Sequence, residues 1–256
     1  MAHKTLIDST GYEVKSGRVL IAGTGYDIKK GRTLIDGTGY DISFGTSLGE
    51  LEEGTLVKIN ESGSPVEFYV AKHNYESSLN GSGRTLVVRK DCHSSRPYNN
   101  FTGCTFPDSV LYTWLNNTYI TYLDDFVRSA IGKTKFKYTS DYIKYTYATG
   151  ECAVFLLGVA EVDPTNNPSS MDYYSDGTLL PIADALKIAH FGGEPVNQWT
   201  RAWAHSDGPS IICMDTSGSR TAFQVLNNAS KTNGVRPIFT LPSDMSVDSD
   251  FNIIKS

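Results

Sequence analysis

The chain has 256 residues, which is enough for one or two domains with a sizeable core. Its 23 basic and 28 acidic residues give a net charge of −5, and this balance argues against duplex nucleic acid as a partner. The N-terminus lacks the apolar stretch of a secretory signal peptide, and no apolar run reaches the roughly 18 residues of a membrane span. We therefore expect a protein made in the cytoplasm, without membrane insertion.

Three 14-residue repeats occupy residues 4–45. Leucine, a Gly-Tyr pair and a closing glycine recur at fixed spacing: Leu6, Leu20 and Leu34; Gly11, Gly25 and Gly39; Tyr12, Tyr26 and Tyr40; Gly17, Gly31 and Gly45. Each unit predicts two short strands around a glycine turn, with tyrosine and isoleucine on one face and an acid on the other. The Gly-Thr-Gly triplets fit turns better than phosphate loops, because no Gly-Lys-Ser/Thr follows. The acidic residues of the repeats are better explained as solvated side chains on strand faces than as ligands in a calcium-binding loop.

Residues 46–256 alternate strand and helix patterns in chain order. TLVKI, EFYVAKH and TLVVRK predict strands, and SVLYTWLNN predicts a helix capped by Asp108 or Ser109, with Val110 and Trp114 on its buried side. TYLDDFVRSAIG predicts a second helix, ECAVFLLGVAEV a buried strand, and LLPIADALKIAHFGG a short helix. NQWTRAW, PSIICMD, RTAFQVL and VRPIFTLP predict the last strands. This order predicts an α+β fold with a small β-repeat domain at 1–45 and a larger domain at 46–256.

The repeat domain has little apolar surface of its own, so we do not expect it to be stable alone. We expect it to pack against sister chains, a larger assembly or the second domain. Residues 1–45 are therefore predicted to be an anchor and a site of oligomerisation.

The cysteines Cys92, Cys104, Cys152 and Cys213 are widely spaced and are interpreted as free thiols. Cys92, His93 and Cys104 could hold zinc, but no CxxC pair or fourth ligand accompanies them, so we predict no metal site. A cysteine hydrolase would need a thiol beside a positioned histidine, whereas adjacent side chains on a strand point apart.

Three acids surround the FLLGVAEV segment: Glu151, Glu161 and Asp163. Paired carboxylates can hydrolyse sugars when they face each other across a cleft, which leaves a glycosidase as a rival interpretation. The favoured prediction is a protein that is not an enzyme, with no catalytic residue and no cofactor.

The larger domain, residues 46–256, is called the body below. It resembles a bacterial and phage family of uncharacterised domains, related to the C-type-lectin fold in its formylglycine-generating-enzyme variant. The resemblance covers roughly residues 48–242 and rests on the segments WLNNTY, FLLGVAEV, QWTRAW and NGVRPIFTLP, in that order. The repeats resemble those that precede such domains in gut-phage and prophage proteins. A formylglycine-generating enzyme would need two redox cysteines near the C-terminal site, where this chain has Cys213 alone.

The resemblance implies a virion-associated adhesin, of the kind diversified by retroelements, whose variable residues lie in the final strands and loops. It implies a C-type-lectin-like architecture at 46–256, attachment to other virion proteins through residues 1–45, and a homo-oligomer, with a trimer as the leading guess. The partner would be a protein or glycan on the host cell surface.

The residues between Trp199 and Gly234 mix rigid aromatic rings, arginines and small polar groups, which is typical of adaptable contact surfaces. Trp199 is expected in the core and Arg236 in a buried structural role. The predicted ligand-binding residues are Trp203, His205, Asp207, Ser210, Asp215, Ser217, Ser219, Arg220, Phe223, Asn227 and Asn228.

Two functional classes remain open. The first is an adhesin that uses those residues. The alternative is a structural virion component, such as a decoration or fibre protein, in which the same residues only maintain the fold or subunit contacts.

Overall fold

A computed structural model of the chain describes residues 17–21, 24–28, 30–35, 38–43, 46–99, 104–141, 146–163, 175–203, 210–224 and 231–255. Within 17–43 and 222–224 it describes the backbone and the strand pairing only. Strands dominate the described ranges, and the longest helix there has eight residues. The chain fits an all-β class better than the predicted α+β class, so the α+β prediction is wrong.

The strands are, in chain order, β1 (Gly17–Ile21), β2 (Thr24–Ile28), β3 (Lys30–Ile35), β4 (Thr38–Ser43), β5 (Thr46–Ser47), β6 (Leu56–Glu61), β7 (Ser64–His73), β8 (Arg84–Arg89), β9 (Ser94–Pro97), β10 (Thr134–Asp141), β11 (Thr146–Cys152), β12 (Ala189–Phe191), β13 (Glu194–Val196), β14 (Gln198–Trp203), β15 (Ser210–Met214), β16 (Arg220–Gln224), β17 (Thr232–Val235), β18 (Ile238–Pro242), β19 (Ser246–Val247) and β20 (Ile253–Ile254). The α-helices are α1 (Ser77–Asn80), α2 (Val110–Asn117), α3 (Asp125–Ala130), α4 (Val159–Val162) and α5 (Ala183–Leu186). Short 3-10 helices span Leu48–Glu50, Phe106–Asp108 and Tyr119–Tyr122.

The second and third repeats each form one antiparallel hairpin, β1–β2 and β3–β4. The two hairpins share a register, because Leu20 pairs with Gly25 as Leu34 pairs with Gly39. This agrees with the predicted strand–turn–strand unit, although the second strand begins already at the threonine of the Gly-Thr-Gly triplet. The first repeat, apart from its closing Gly17, lies outside the described residues.

A four-stranded antiparallel sheet in the order β18-β8-β7-β6 builds one side of the body. Its inner face is apolar, and the rings of Phe68 and Phe239 lie 5.5 Å apart there. Both residues are fully buried, as is Val87, which pairs with Phe239. The alternation of TLVKI and EFYVAKH predicted these strands, since one face of each packs against the core.

A five-stranded sheet in the order β16-β15-β14-β17-β9 holds most of the C-terminal third. Its pairs are antiparallel except β14–β17, which run parallel through the single pair Gln198↔Gly234. One continuous core of buried apolar side chains includes residues of both sheets, among them Phe68, Leu86, Trp199 and Phe239. The three smaller sheets of the body are β10–β11, β12–β13 and β20-β19-β5.

Helix α2 begins directly after Ser109, one of the two capping residues that the sequence predicted. The Ser109 hydroxyl accepts a hydrogen bond from the Tyr112 amide at 3.0 Å, which satisfies one of the free donors of the first turn. The buried side chains, however, are Leu111 and Leu115, and Val110 is exposed. The predicted buried face was therefore wrong by one position.

Two other predicted elements differ in type. Most of ECAVFLLGVAEV is buried, as predicted, although its first residue, Glu151, is exposed; only its first two residues belong to a strand, and it ends in α4. The segment 153–158 runs between the sheets and joins one strand through the bridge Phe155↔Ile238. The helix predicted at LLPIADALKIAHFGG shortens to α5, because the chain turns into β12 at Ala189. No helix in the described ranges has the length and apolar character needed to cross a bilayer.

Candidate functional site

Strand register separates the predicted contact residues into two groups at opposite ends of the five-stranded sheet. Trp203 pairs with Ile211, Ile211 pairs with Phe223, and Ser210 pairs with Gln224. The opposite end carries the pair Met214↔Arg220. With a rise of about 3.3 Å per residue, the two ends of β15 lie roughly 13 Å apart. One ligand of small size would therefore not contact both groups.

The end of the sheet near Trp203 borders the segments 204–209 and 225–230. The first segment connects β14 to β15, and the second follows Gln224, the partner of Ser210. His205, Asp207, Asn227 and Asn228 belong to these segments and lie outside the described residues. Trp203 is half-buried and packs against the core, and Ser210 is fully buried inside the sheet. We call the strand ends Trp203, Ser210 and Gln224 the loop platform.

The opposite end is a tight turn whose polar atoms bond to one another. One Asp215 carboxylate oxygen accepts from the Ser217 amide at 2.8 Å, from the Ser217 hydroxyl at 2.6 Å and from the Ser219 amide at 3.0 Å. The hydrogen bond from Ser217, followed by that from the Ser219 backbone, lowers the pKa of Asp215. Asp215, Ser217 and Ser219 are thus brought together, but this self-contained bonding favours a structural turn.

Arg220 follows that turn and is also engaged within the protein. Its Nε lies 2.6 Å from an Asp163 carboxylate oxygen, and both side chains are mostly buried. Arg220 thereby joins the edge strand β16 to the residue that ends α4. The backbone of Phe223 lies on the same strand, paired with Ile211.

A buried ionic network lies beneath the sheet at Arg201. Arg201 and Glu161 are both essentially inaccessible, and two guanidinium nitrogens each donate to a carboxylate oxygen of Glu161 at 2.8 Å. Tyr75 donates its hydroxyl to Glu161 at 2.5 Å, and the Gly158 amide donates to the same carboxylate at 2.7 Å. Arg201 also donates to the carbonyl oxygens of Lys137 and Leu156, at 2.7 and 2.6 Å.

The charges in this network compensate one another. Burial would lower the pKa of Arg201, but the Glu161 carboxylate holds it above its ordinary value. Burial, reinforced by repulsion from Glu161, raises the pKa of the Tyr75 hydroxyl. At neutral pH the Arg201 guanidinium is therefore charged and the Tyr75 hydroxyl is neutral. Arg201 belongs to the stretch between Trp199 and Gly234, whose composition is typical of a contact surface; the structure buries this residue.

Asp176 completes the network from the other side. Its two carboxylate oxygens accept from the amides of Val159 and Ala160, at 3.0 and 2.9 Å, and its carbonyl oxygen accepts from Arg201. Space is so limited here that a Cβ added at Gly177 would lie 2.5 Å from Cγ of Glu161. The glycine is therefore required by close packing.

Arg236 is a second buried arginine, and it has a different environment. Its guanidinium donates to the carbonyl oxygens of Arg89, Leu186 and Lys90, at 2.7, 2.9 and 2.6 Å. Burial lowers the pKa of Arg236 to about 10, because no carboxylate in the described ranges forms a salt bridge with it. The predicted buried structural role of Arg236 is confirmed, and Trp199 lies in the core as predicted.

The acids and thiols considered for catalysis are used in other ways. Glu161 is bound to Arg201, Asp163 to Arg220, and Glu151 is exposed. The four cysteines are buried free thiols. Burial raises the pKa of Cys92 and Cys104 to about 11 and of Cys152 to about 12, so these thiols are protonated at neutral pH and weakly nucleophilic. The described residues contain no group of three or more His, Cys, Asp or Glu that could hold a metal ion.

His93 lies in an aromatic cluster that sequence reasoning missed. Its ring is within 5.2–5.4 Å of the rings of Trp114, Tyr119 and Tyr122, centroid to centroid. Nε2 lies 3.6 Å from Glu61, whose carboxylate also binds Arg89 and the Tyr119 hydroxyl. Nδ1 is buried and has no hydrogen-bond partner in the described part of the chain. Burial lowers the pKa of His93; Glu61 opposes this shift, and Arg89 and Arg96 reinforce it.

Acidification should therefore weaken the fold through His93. The unfolded state takes up the proton near its ordinary pKa of about 6.5, while the folded state does so only at lower pH. Stability is complete above about pH 6.5 and falls as pH drops below it, by at most about 1.4 kcal/mol per pH unit. Urea unfolding from pH 7.5 to 5.5, followed by tryptophan fluorescence, should show a steeper loss for the wild type than for His93→Phe. An equal loss of stability in the wild type and in His93→Phe would contradict this expectation.

An open cleft of about 430 Å³ lies on the four-stranded sheet, away from the predicted contact residues. Its lining is charged but mostly paired, since Arg89 binds Glu61 and Lys90 binds Glu67 at 2.7 Å. The cleft is bordered by Lys58, Pro65, Val66, Glu67, Arg89, Lys90 and Asp91.

Comparison with known proteins identifies one family. The model of a family described as a domain of unknown function (DUF6273) matches residues 82–243, and because this is more than half of the chain, the chain belongs to that family. The match begins just before β8 and ends just after β18, so it includes the five-stranded sheet and the ionic network except Tyr75. No curated protein and no solved structure matches the chain significantly.

Proposed function

We propose that this DUF6273 protein is a non-enzymatic, virion-associated adhesin that binds a host-surface protein or glycan. The observation that carries the proposal is the loop platform: both ends of 204–209 and the start of 225–230 leave the same end of one sheet. Loops that bind partners commonly extend from a rigid scaffold in this way. The resemblance of the repeats and the body to phage and prophage proteins supplies the expected context, a virion to which residues 1–45 attach.

The network of hydrogen bonds and ion pairs next to the loop platform is consistent with a binding role. Arg201 lies on β14, two residues before the platform, and the network around it fixes that strand to α4 and to Tyr75. A rigid base loses little conformational entropy of its own when a partner binds. The segments themselves supply His205, Asp207, Asn227 and Asn228, residue types that provide adaptable hydrogen bonds.

Binding to a panel of bacterial cells tests this proposal. We expect labelled full-length protein to bind some cells, and the variant with His205, Asp207, Asn227 and Asn228 all changed to alanine to lose at least about ten-fold in affinity. The matched control changes Thr216, Ser217 and Ser219 to alanine, at the opposite end of the sheet, and should bind as the wild type does. Unfolding curves of both variants verify that the body stays folded.

Two results would refute the adhesin. Equal binding by wild type and loop variant would show that the loops are not the receptor site. Absence of binding to every cell, together with assembly of the protein onto virions through residues 1–45, would replace the adhesin with a structural virion component.

A further inference from the structure

The aromatic cluster around His93 meets a partly exposed arginine on the edge strand β9. The guanidinium carbon of Arg96 lies 4.0 Å from the centre of the Trp114 ring, in a cation–π contact. The Arg96 Nε donates a hydrogen bond to the Ser94 hydroxyl at 3.2 Å. The ring and this hydrogen bond together hold the planar guanidinium in one orientation, so that it loses little freedom when a ligand binds.

The two terminal nitrogens of Arg96 are not used within the described part of the chain, where neither makes a hydrogen bond or an ion pair. Arg89, in contrast, binds the Glu61 carboxylate through two nitrogens, each at 3.1 Å. His93 adds no charge at neutral pH, because burial lowers its pKa. The cluster therefore presents one uncompensated positive charge, and it is carried by an oriented fork of N–H donors.

Two other side chains of the cluster also keep free donors. The Trp114 indole N–H and the Tyr122 hydroxyl have no hydrogen-bond partner in the described ranges, and neither atom is enclosed by the protein. Both side chains are partly exposed, and the Tyr122 ring stacks on His93 with 5.4 Å between the ring centres. We call Arg96, Trp114, His93 and Tyr122 the arginine site.

We propose that the arginine site binds a carboxylate-bearing sugar. A planar carboxylate accepts two parallel hydrogen bonds from a guanidinium fork, and its single charge matches the single uncompensated cation. A phosphate dianion would need a second positive charge. The partly exposed rings suit the apolar face of a sugar, and the free donors of Trp114 and Tyr122 suit its hydroxyl groups.

The arginine site is separate from the loop platform. Strand β9 is the edge of the five-stranded sheet opposite β16, and β17 lies between β9 and β14. The inference therefore adds a second binding site to the protein and does not depend on the loops that follow Trp203 and Gln224.

Calorimetric titration of the full chain with trigalacturonate, and with the matching neutral trisaccharide, tests this inference without cells. The wild type should bind the acidic sugar at least about ten-fold more tightly than the neutral one. Arg96→Lys keeps the charge but loses the fork, so it should bind trigalacturonate at least about ten-fold more weakly. The matched control is Arg128→Lys, at a partly exposed arginine paired with Asp125, which should bind as the wild type does. Melting curves by circular dichroism verify that both variants are folded.

The pKa of His93, measured by NMR, gives a second readout. Burial is the main cause of its lowered pKa; Glu61 opposes the shift, and Arg89 and Arg96 add to it. A carboxylate bound to Arg96 offsets the charge of that arginine, while Glu61 and Arg89 stay paired with each other. Trigalacturonate should therefore raise the pKa of His93, and the neutral sugar should leave it unchanged.

Four results would overturn the inference. They are no binding of trigalacturonate, equal affinity for the acidic and neutral sugars, wild-type affinity in Arg96→Lys, and tighter binding of a triglutamate peptide than of trigalacturonate. The last result would assign the site to an acidic protein segment. The loop variant tested above should bind trigalacturonate as the wild type does, so failure of the adhesin proposal would leave these measurements unchanged.

Discussion

Replacing Glu161 with glutamine is expected to lower the free energy of unfolding by about 3–5 kcal/mol, because it leaves the buried Arg201 cation without its counter-ion. Arg201 and Glu161 have no exposed side-chain surface, so water cannot take over the lost interaction. The new amide group would also place an N–H donor against a guanidinium that only donates. Tyr75 and the Gly158 amide would compete for the single remaining oxygen.

Urea unfolding, followed by tryptophan fluorescence, measures this loss. The double variant Glu161→Gln, Arg201→Met should be more stable than the sum of the two single effects implies, because it leaves neither charge unpaired. The control is Asp184→Asn, which removes the exposed partner of Lys187 and should change stability by less than about 1 kcal/mol. A loss below about 1 kcal/mol for Glu161→Gln would mean that the network does not hold the fold together.

Replacing Arg236 with methionine is expected to lower the free energy of unfolding by about 3 kcal/mol, through the loss of hydrogen bonds rather than of an ion pair. The change removes three hydrogen bonds from a cation, each of which contributes about 1.5–3 kcal/mol, but it also removes the cost of burying an uncompensated charge. We expect the loss of the hydrogen bonds to outweigh the gain from removing the buried charge. The buried carbonyl oxygens of Arg89 and Lys90 lose their arginine donor in this variant. Methionine fills most of the volume, so the effect reports the lost hydrogen bonds more than a cavity.

The same unfolding measurement applies, with Arg128→Met as the control. Arg128 is a partly exposed arginine whose partner, Asp125, is almost fully exposed, so its loss should be nearly neutral. An Arg236→Met protein as stable as the wild type would indicate that the desolvation cost of the cation cancels its hydrogen bonds. A more stable variant would indicate that the cation is tolerated at a cost to the fold.

Local patterns in the sequence predicted much of the regular structure. Alternation located β6, β7, β8 and the last strands, and the repeats predicted the hairpins with their tyrosine and acid on opposite faces. Ser109 predicted the start of α2, because a capping hydroxyl is a local signal. These features depend on residues that are neighbours in the sequence.

Features that depend on distant residues were missed. Arg201 stands between Thr200 and Ala202, a context that suits an exposed strand face, and its partner Glu161 lies 40 positions away. The available signal was at Glu161, whose charge interrupts the otherwise apolar run FLLGVAEV. His93 likewise meets Trp114, Tyr119 and Tyr122 only after the chain folds back. The α+β prediction failed because the three predicted helices are short: α2 has eight residues, α3 six and α5 four, and strands make up most of the regular structure.

The strand order also governs when this protein can fold during its synthesis. Strand β8 pairs with β18, and Arg84 bonds to Thr240, 156 positions later. Strand β5, at the start of the body, pairs with β19 near the C-terminus. Contacts of such long range are slow to form and cannot form until both partners have left the ribosome. A chain released before β18 would leave the backbone groups along one edge of β8 unpaired and its apolar side chains less covered, and we expect such truncated chains to aggregate or be degraded.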